Sequence, residues 1–249
     1  MFATIVNCVA VILGSLAGLL GAKRIAERYR EIVFVGSGVT TLVIGTAMAL
    51  KSANAVYLAL SLIVGGLIGT RLDIDGAILR FGVLLERLTL KPGAAPAQRT
   101  DSDGPQWDFG RGFLNASVLF CVGAMALVGS FKAGTEGDYA LILTKSVLDG
   151  AMAVFFAAAL GPGVAFSALP ILLYQGALTL AAGFLKPYVS AQMLAELTGV
   201  GGALVLMISL NLLSLKKIKT ADFLPALVVM VLLVLADPLF VRAAASLGL

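Results

Sequence analysis

Lys145 and Asp149 stand one helical turn apart in KSVLDGAMAVFFAAALGPGVAFSALPILLYQG (145–176), a stretch that is otherwise almost wholly apolar. At that spacing the two side chains share one helix face and can pair. An aspartate at the centre of a membrane helix costs roughly 2.5–3.5 kcal/mol on insertion scales, so such groups pair or line a polar pathway. Two readings stay open. In the first, Lys145 neutralises Asp149 and snorkels toward the membrane edge. In the second, Asp149 binds a coupling cation, a proton or a substrate amine, and Lys145 and Ser146 contact a solute. The second is favoured, because apolar side chains would hold helices together at less cost. If the helix starts near residue 140, Asp149 lies nine residues in, roughly 13 Å at 1.5 Å per residue.

The same stretch breaks at Gly161-Pro162-Gly163, carries Pro170 within a helix, and ends on Tyr174-Gln175. Proline lacks a backbone donor and glycine admits unusual dihedrals, so this break is either an inter-helix turn or a source of free amides for an anion. Pro170 would free the carbonyl of Phe166, within reach of Tyr174 and Gln175. Asn7 and Asn115 lie in other apolar runs, as do Thr40, Thr41, Ser117 and Asn211. Such residues usually bond between helices. The candidate substrate- or ion-binding set is therefore Asp149, Lys145, Ser146, Gln175, Tyr174, Gly161, Gly163, Asn115 and Asn7.

Other chemistries find little footing. The chain has no histidine, which removes histidine bases and metal ligands, and we expect no metal and no cofactor. Cys8 and Cys121 fall in apolar runs and read as small buried residues rather than a disulfide. A membrane aspartyl protease needs two carboxylates in the bilayer, and only Asp149 is clearly placed there. No H-E-x-x-H, G-x-S-x-G or Walker A run occurs, so we expect no enzyme. The net charge of +4 resides in short loops, which argues for membrane orientation and against a nucleic-acid partner.

The elements that must position these groups are membrane helices. With 59% hydrophobic and 13% charged residues, the chain reads as an all-α polytopic bundle. Eight spans are predicted, near 3–20, 32–50, 54–70, 112–130, 140–160, 164–184, 197–214 and 221–236. The first has no basic residues before it, so it reads as a retained helix and not a signal peptide. Lys23, Arg24, Arg28 and Arg30 follow it. Arg71, Arg80, Arg87, Lys91, Arg99 and Arg111 follow the third span, and Lys216, Lys217 and Lys219 the seventh. Those loops share one side, whereas Lys51, Lys132, Lys186 and Arg242 fall on the other. The bias predicts both termini outside.

Three parts are expected: a three-span part over 1–90, a flexible cytoplasmic linker over 91–110, and a five-span part over 111–249. Within the first, residues 74–89 place Ile78, Phe81, Leu85 and Leu88 on one face, as an interfacial helix does. ILGSLAGLLGAK (12–23) and YQGALTLAAGFLK (174–186) each precede a glycine-rich span and then another. They suggest an inverted-topology repeat, against the alternative that glycine-rich helices look alike. Gly14 and Gly18, and Gly65 and Gly69, allow close helix approach, within the bundle or in a homodimer.

Several runs resemble a bacterial inner-membrane family catalogued as domain of unknown function 554. They are TIVNCVAVILGSLAGLLGAK (4–23), FCVGAMALVGS (120–130), KSVLDG (145–150), GVAFSALPILLYQG (163–176) and KKIKTADFLPAL (216–227). The resemblance implies a multi-span protein of the bacterial cytoplasmic membrane and a general expectation of transport. It names no substrate. The working expectation is a secondary transporter for a small polar or ionic solute, with a channel or a non-transporting scaffold as alternatives. Its partners would be the lipid bilayer, the solute and, in one arrangement, a second copy.

Overall fold

The computed structural model describes residues 1–22, 27–89, 108–121, 124–185 and 189–246. Of the predicted linker over 91–110, residues 91–107 lie outside them, as do Lys23, Arg24 and Lys186, and its last residues, Phe109 and Gly110, are the start of a helix. Among the described residues the structure is helical, with no strand. The helices are α1 (Phe2–Ala22), α2 (Glu27–Ala49), α3 (Ala55–Leu72), α4 (Ile74–Thr89), α5 (Phe109–Cys121) and α6 (Ala124–Thr135). They continue with α7 (Ala140–Leu160), α8 (Gly163–Phe166), α9 (Ala168–Leu185), α10 (Ala191–Leu212) and α11 (Pro225–Ser246), the last preceded by a 3-10 turn at Thr220–Phe223.

Six described segments are long and apolar enough to cross a membrane: Phe2–Gly21, Ala55–Leu72, Ala140–Leu160, Gly163–Phe184, Ala191–Leu212 and Thr220–Asp237. They match six of the eight predicted runs. The predicted fourth span is a bent pair, α5 and α6, meeting at 58°. The predicted second span belongs to α2, whose apolar part is only Val35–Ala49 because charged turns precede it within the same helix. About eight spans is thus the architecture, with two of them irregular.

Helices before residue 90 and after residue 107 interleave. α1 lies along α7, α2 along α10, and α3 along α11, while α6 lies along α9. Glycines set those approaches. A side chain at Gly14 would strike the carbonyl of Gly150, and one at Gly18 the carbonyl of Val154. Gly65 and Gly69 sit in the same way against Ala226 and Asp222. Both glycine pairs therefore bring helices of one chain together, the close-backbone arrangement expected of membrane bundles. The central cluster combines Val11, Phe120, Phe156, Val164, Ile171, Leu204 and Ile208, all buried.

Polar side chains hold the turns. Glu196, wholly buried on α10, accepts hydrogen bonds from the backbone amides of Ala53 and Asn54, each at 3.0 Å, and from the Ser52 hydroxyl. Asn54 caps α3 by accepting from the amides of Val56 and Tyr57. Asp73, in the left-handed region at φ 49, turns α3 into α4. The predicted interfacial helix is α4, with Ile78 against the core and Phe81 6.1 Å from the Phe113 ring. The side chains of Leu85 and Leu88 lie outside the described residues.

Candidate functional site

Asp149 sits midway along α7, and its i−4 neighbour Lys145 donates to its Oδ2. The pair is not isolated. Asn7, one to two turns into α1, donates from Nδ2 to Asp149 Oδ2 at 3.0 Å and to Gln175 Oε1 on α9 at 3.2 Å. Four polar side chains from three helices thus form one buried centre. Asn7 is 0% exposed, Gln175 2%, Lys145 6% and Asp149 8%. The arrangement follows from the fold, because α7 packs on α1 through Gly14, Gly18 and Gly150, which brings Asn7 beside Asp149.

This centre is incompletely satisfied. Among the described residues, Asn7 Oδ1 and Gln175 Nε2 are buried without a hydrogen-bond partner, as is the Thr4 hydroxyl one turn from Asn7. A buried polar group left unpaired costs about 1–3 kcal/mol. Two such groups of opposite type, one acceptor and one donor, therefore flank a buried ion pair.

The structure does not bring every candidate here. Ser146 spends its hydroxyl on the carbonyl of Ile142 in its own helix, at 2.8 Å. Tyr174 faces away from Gln175 and lines an apolar cavity of about 870 Å³ with Phe81, Phe113, Cys121, Pro170 and Val228. Gly161 and Gly163 lie at the far end of α7. There the Gly161 amide returns to the carbonyl of Ala157, and Gly163 packs against the backbone of Phe109 and Phe113. The Gly161 amide is committed to the end of α7 and Gly163 is packed under α5, so the break does not aim free donors at the charged centre. Asn115 is also remote from the pair, on the first turns of α5.

A model of the family described as "Protein of unknown function (DUF554)" matches residues 2–235, nearly the whole chain and every helix of this centre. The chain belongs to that family. It is 30% identical over 233 residues to the uncharacterized membrane protein YdfK of Bacillus subtilis, covering 92% of this chain and 93% of the relative. It is 29% identical over 222 residues to the uncharacterized protein YqgA of Escherichia coli, covering 89% and 91%. No solved structure matches it. With its apolar helices and a membrane-protein relative, this DUF554 chain is a membrane protein in contact with the bilayer.

Its second polar region was not legible in the sequence. Two cavities of about 470 and 510 Å³ share Arg111, Asn115, Asn211 and Ser214, with Asp75, Lys217 and Lys219 lining one and Glu31, Asp108 and Leu160 the other. Asn211 was expected to bond between helices. It instead holds the turn before α11, accepting from the Ile218 amide at 2.7 Å and donating to the Ile218 carbonyl. Asp75 and Asp222 fasten α4 to that turn reciprocally: Asp222 Oδ1 accepts from the Asp75 amide and Asp75 Oδ1 from the Ala221 amide. Burial raises the Asp75 carboxyl above its ordinary range, and Asp222 adds to the rise, while the Ala221 amide, Lys219 and Arg111 oppose it. The one sequence signal was the pair of polar residues Thr220 and Asp222 directly after a lysine run. Between centre and chamber, α7 presents Ala153, Phe156 and Ala157, all buried, and the Phe156 ring lies tilted against that of Phe120 with centroids 6.4 Å apart.

Proposed function

We propose that this protein is a secondary transporter that carries a small polar or ionic solute past the Lys145–Asp149 centre. The observation that carries the reading is the pair of unpartnered amide atoms, Asn7 Oδ1 and Gln175 Nε2, beside a buried ion pair. An acceptor next to a carboxylate suits an ammonium group, and a donor suits a carboxylate or carbonyl. A zwitterionic solute would meet both. Its amine competes for Asp149 with Lys145 and with the Asn7 amide, and loss of the Asn7 bond loosens α7 from α1 and couples binding to movement. A proton or cation on Asp149 would release Lys145 by the same route.

Two arrangements support this reading. The pairing of α2 with α10 and of α3 with α11 is what an inverted repeat of α1–α3 and α9–α11 would produce. The Phe120–Phe156 plug between centre and chamber would serve as the inner gate. In this scheme the protein sits in the bacterial inner membrane with both termini outside, the chamber opens to the cytoplasm, and no bond of the solute is made or broken.

Reconstitution tests it. A panel of small zwitterions and anions is screened by thermal shift and uptake into proteoliposomes, in wild type and in Asp149→Asn. The expected result is at least one solute whose binding and uptake both vanish in the variant. Solutes that bind and move equally well in Asp149→Asn would leave the pair a structural clamp.

A further inference from the structure

We propose that the chamber end of the bundle holds an anionic phospholipid, with one acyl chain in the apolar cavity and its phosphate against Arg111, Lys217 and Lys219. The cavity of about 870 Å³ lies within the ~300–1,000 Å³ of pockets that enclose small ligands. Its lining is almost entirely apolar, and exposed Phe81 and Val228 stand on it, so it is continuous with the lipid-facing surface. Such a cavity suits a hydrocarbon tail and offers a hydrophilic solute little to bond beyond the Tyr174 hydroxyl.

What selects the headgroup is the neighbouring chamber. Leu114 lines both the apolar cavity and the polar one, and the next residue, Asn115, lies on the polar side. Asn115 is 7% exposed, and its amide makes no hydrogen bond among the described residues. Arg111 is one helical turn away, and Lys217 and Lys219 complete the wall. These cations are available. The Arg111–Asp108 pair at 3.0 Å and the Lys219–Asp73 approach at 4.0 Å are exposed, and pairs of that kind are worth about 0–1 kcal/mol. Lys217 has no ion pair among the described residues. The carboxylate of Asp75 is turned toward the Ala221 amide. A tail-shaped cavity meeting a cationic wall at one residue is the pattern of a bound acidic lipid, since basic pockets between membrane helices take anionic headgroups.

The test uses the full-length protein in a mild detergent, with dioleoyl phosphatidylglycerol, phosphatidylcholine of the same chains, and glycerol 3-phosphate as probes. Native mass spectrometry should show phosphatidylglycerol retained about ten-fold more tightly than phosphatidylcholine, with glycerol 3-phosphate failing to displace it. R111Q/K217Q/K219Q should erase that preference while leaving phosphatidylcholine binding unchanged. V228F, which fills the cavity, should weaken both lipids. Equal retention of the two lipids by wild type overturns the proposal without reference to any variant. Displacement by glycerol 3-phosphate would assign the basic wall to a free phosphate and overturn it too. A preference that survives the triple substitution does the same.

Discussion

The charged centre and the polar chamber are built from similar residues but treat them oppositely. At the centre, Lys145, Asp149, Asn7 and Gln175 are almost fully buried and bonded to one another across three helices. In the chamber, Arg111 and Lys219 make only exposed pairs, and Lys217 makes none among the described residues. The difference is one of desolvation. A charge at the centre has only its neighbours to replace water, so its partners are energetically indispensable. A charge in the chamber keeps some solvent, and its partners can be exchanged.

The largest test of that contrast is at the centre. Lys145→Met alone strands Asp149 and should cost about 3–5 kcal/mol of stability, read from unfolding in micelles. Lys145→Met with Asp149→Leu should recover most of that loss, because no unpaired charge is left. A single variant as stable as wild type would show that water or a proton replaces the lysine at the carboxylate. Replacing one asparagine in each region sharpens the comparison. Asn7→Leu removes the donor shared by Asp149 and Gln175 and should cost about 1–3 kcal/mol. Asn115→Leu removes a buried side-chain amide without a partner among the described residues, strands no donor or acceptor, and should cost no stability. Equal losses would erase the distinction.

The smallest effect concerns protons in the chamber. The Asp75 carboxyl is raised in the folded state, so the folded protein binds more protons than the unfolded one between the ordinary and the raised value. Stability from this group is full below the ordinary carboxylate range and falls as pH rises through that window. Asp75→Asn should flatten that part of the melting-temperature profile. Asp138, exposed and lowered by the Ala140 amide, contributes with the opposite sign, so the difference between variant and wild type is the quantity to measure.

The bundle was legible in the sequence because each span declares itself by apolar length, a property of neighbouring residues. The Lys145–Asp149 pair was legible for the same reason, since four residues on one helix fix their geometry. Asn7 and Gln175 could be named as polar groups in apolar runs, but their meeting depends on α1, α7 and α9 converging, which no local pattern encodes. Gly161-Pro162-Gly163 carried both of its readings in the sequence. Its packing under Phe109 and Phe113, decided by α5 some fifty residues earlier, made it a turn. The bend between α5 and α6 escaped notice because hydropathy is blind to direction.

Asn7 also has a consequence for how the protein is made. Its two partners are 142 and 168 residues further along the chain. α1 therefore enters the lipid with its amide and its glycine stripe unclaimed until α7 has been synthesised, and Asn7 gains its second partner only with α9. Assembly then includes a late step in which α1 docks on α7 and α9. A gene divided between Thr89 and Asp108 should still yield a complete bundle when its two halves are expressed together, because α1, α2 and α3 each find their main neighbour in the other half.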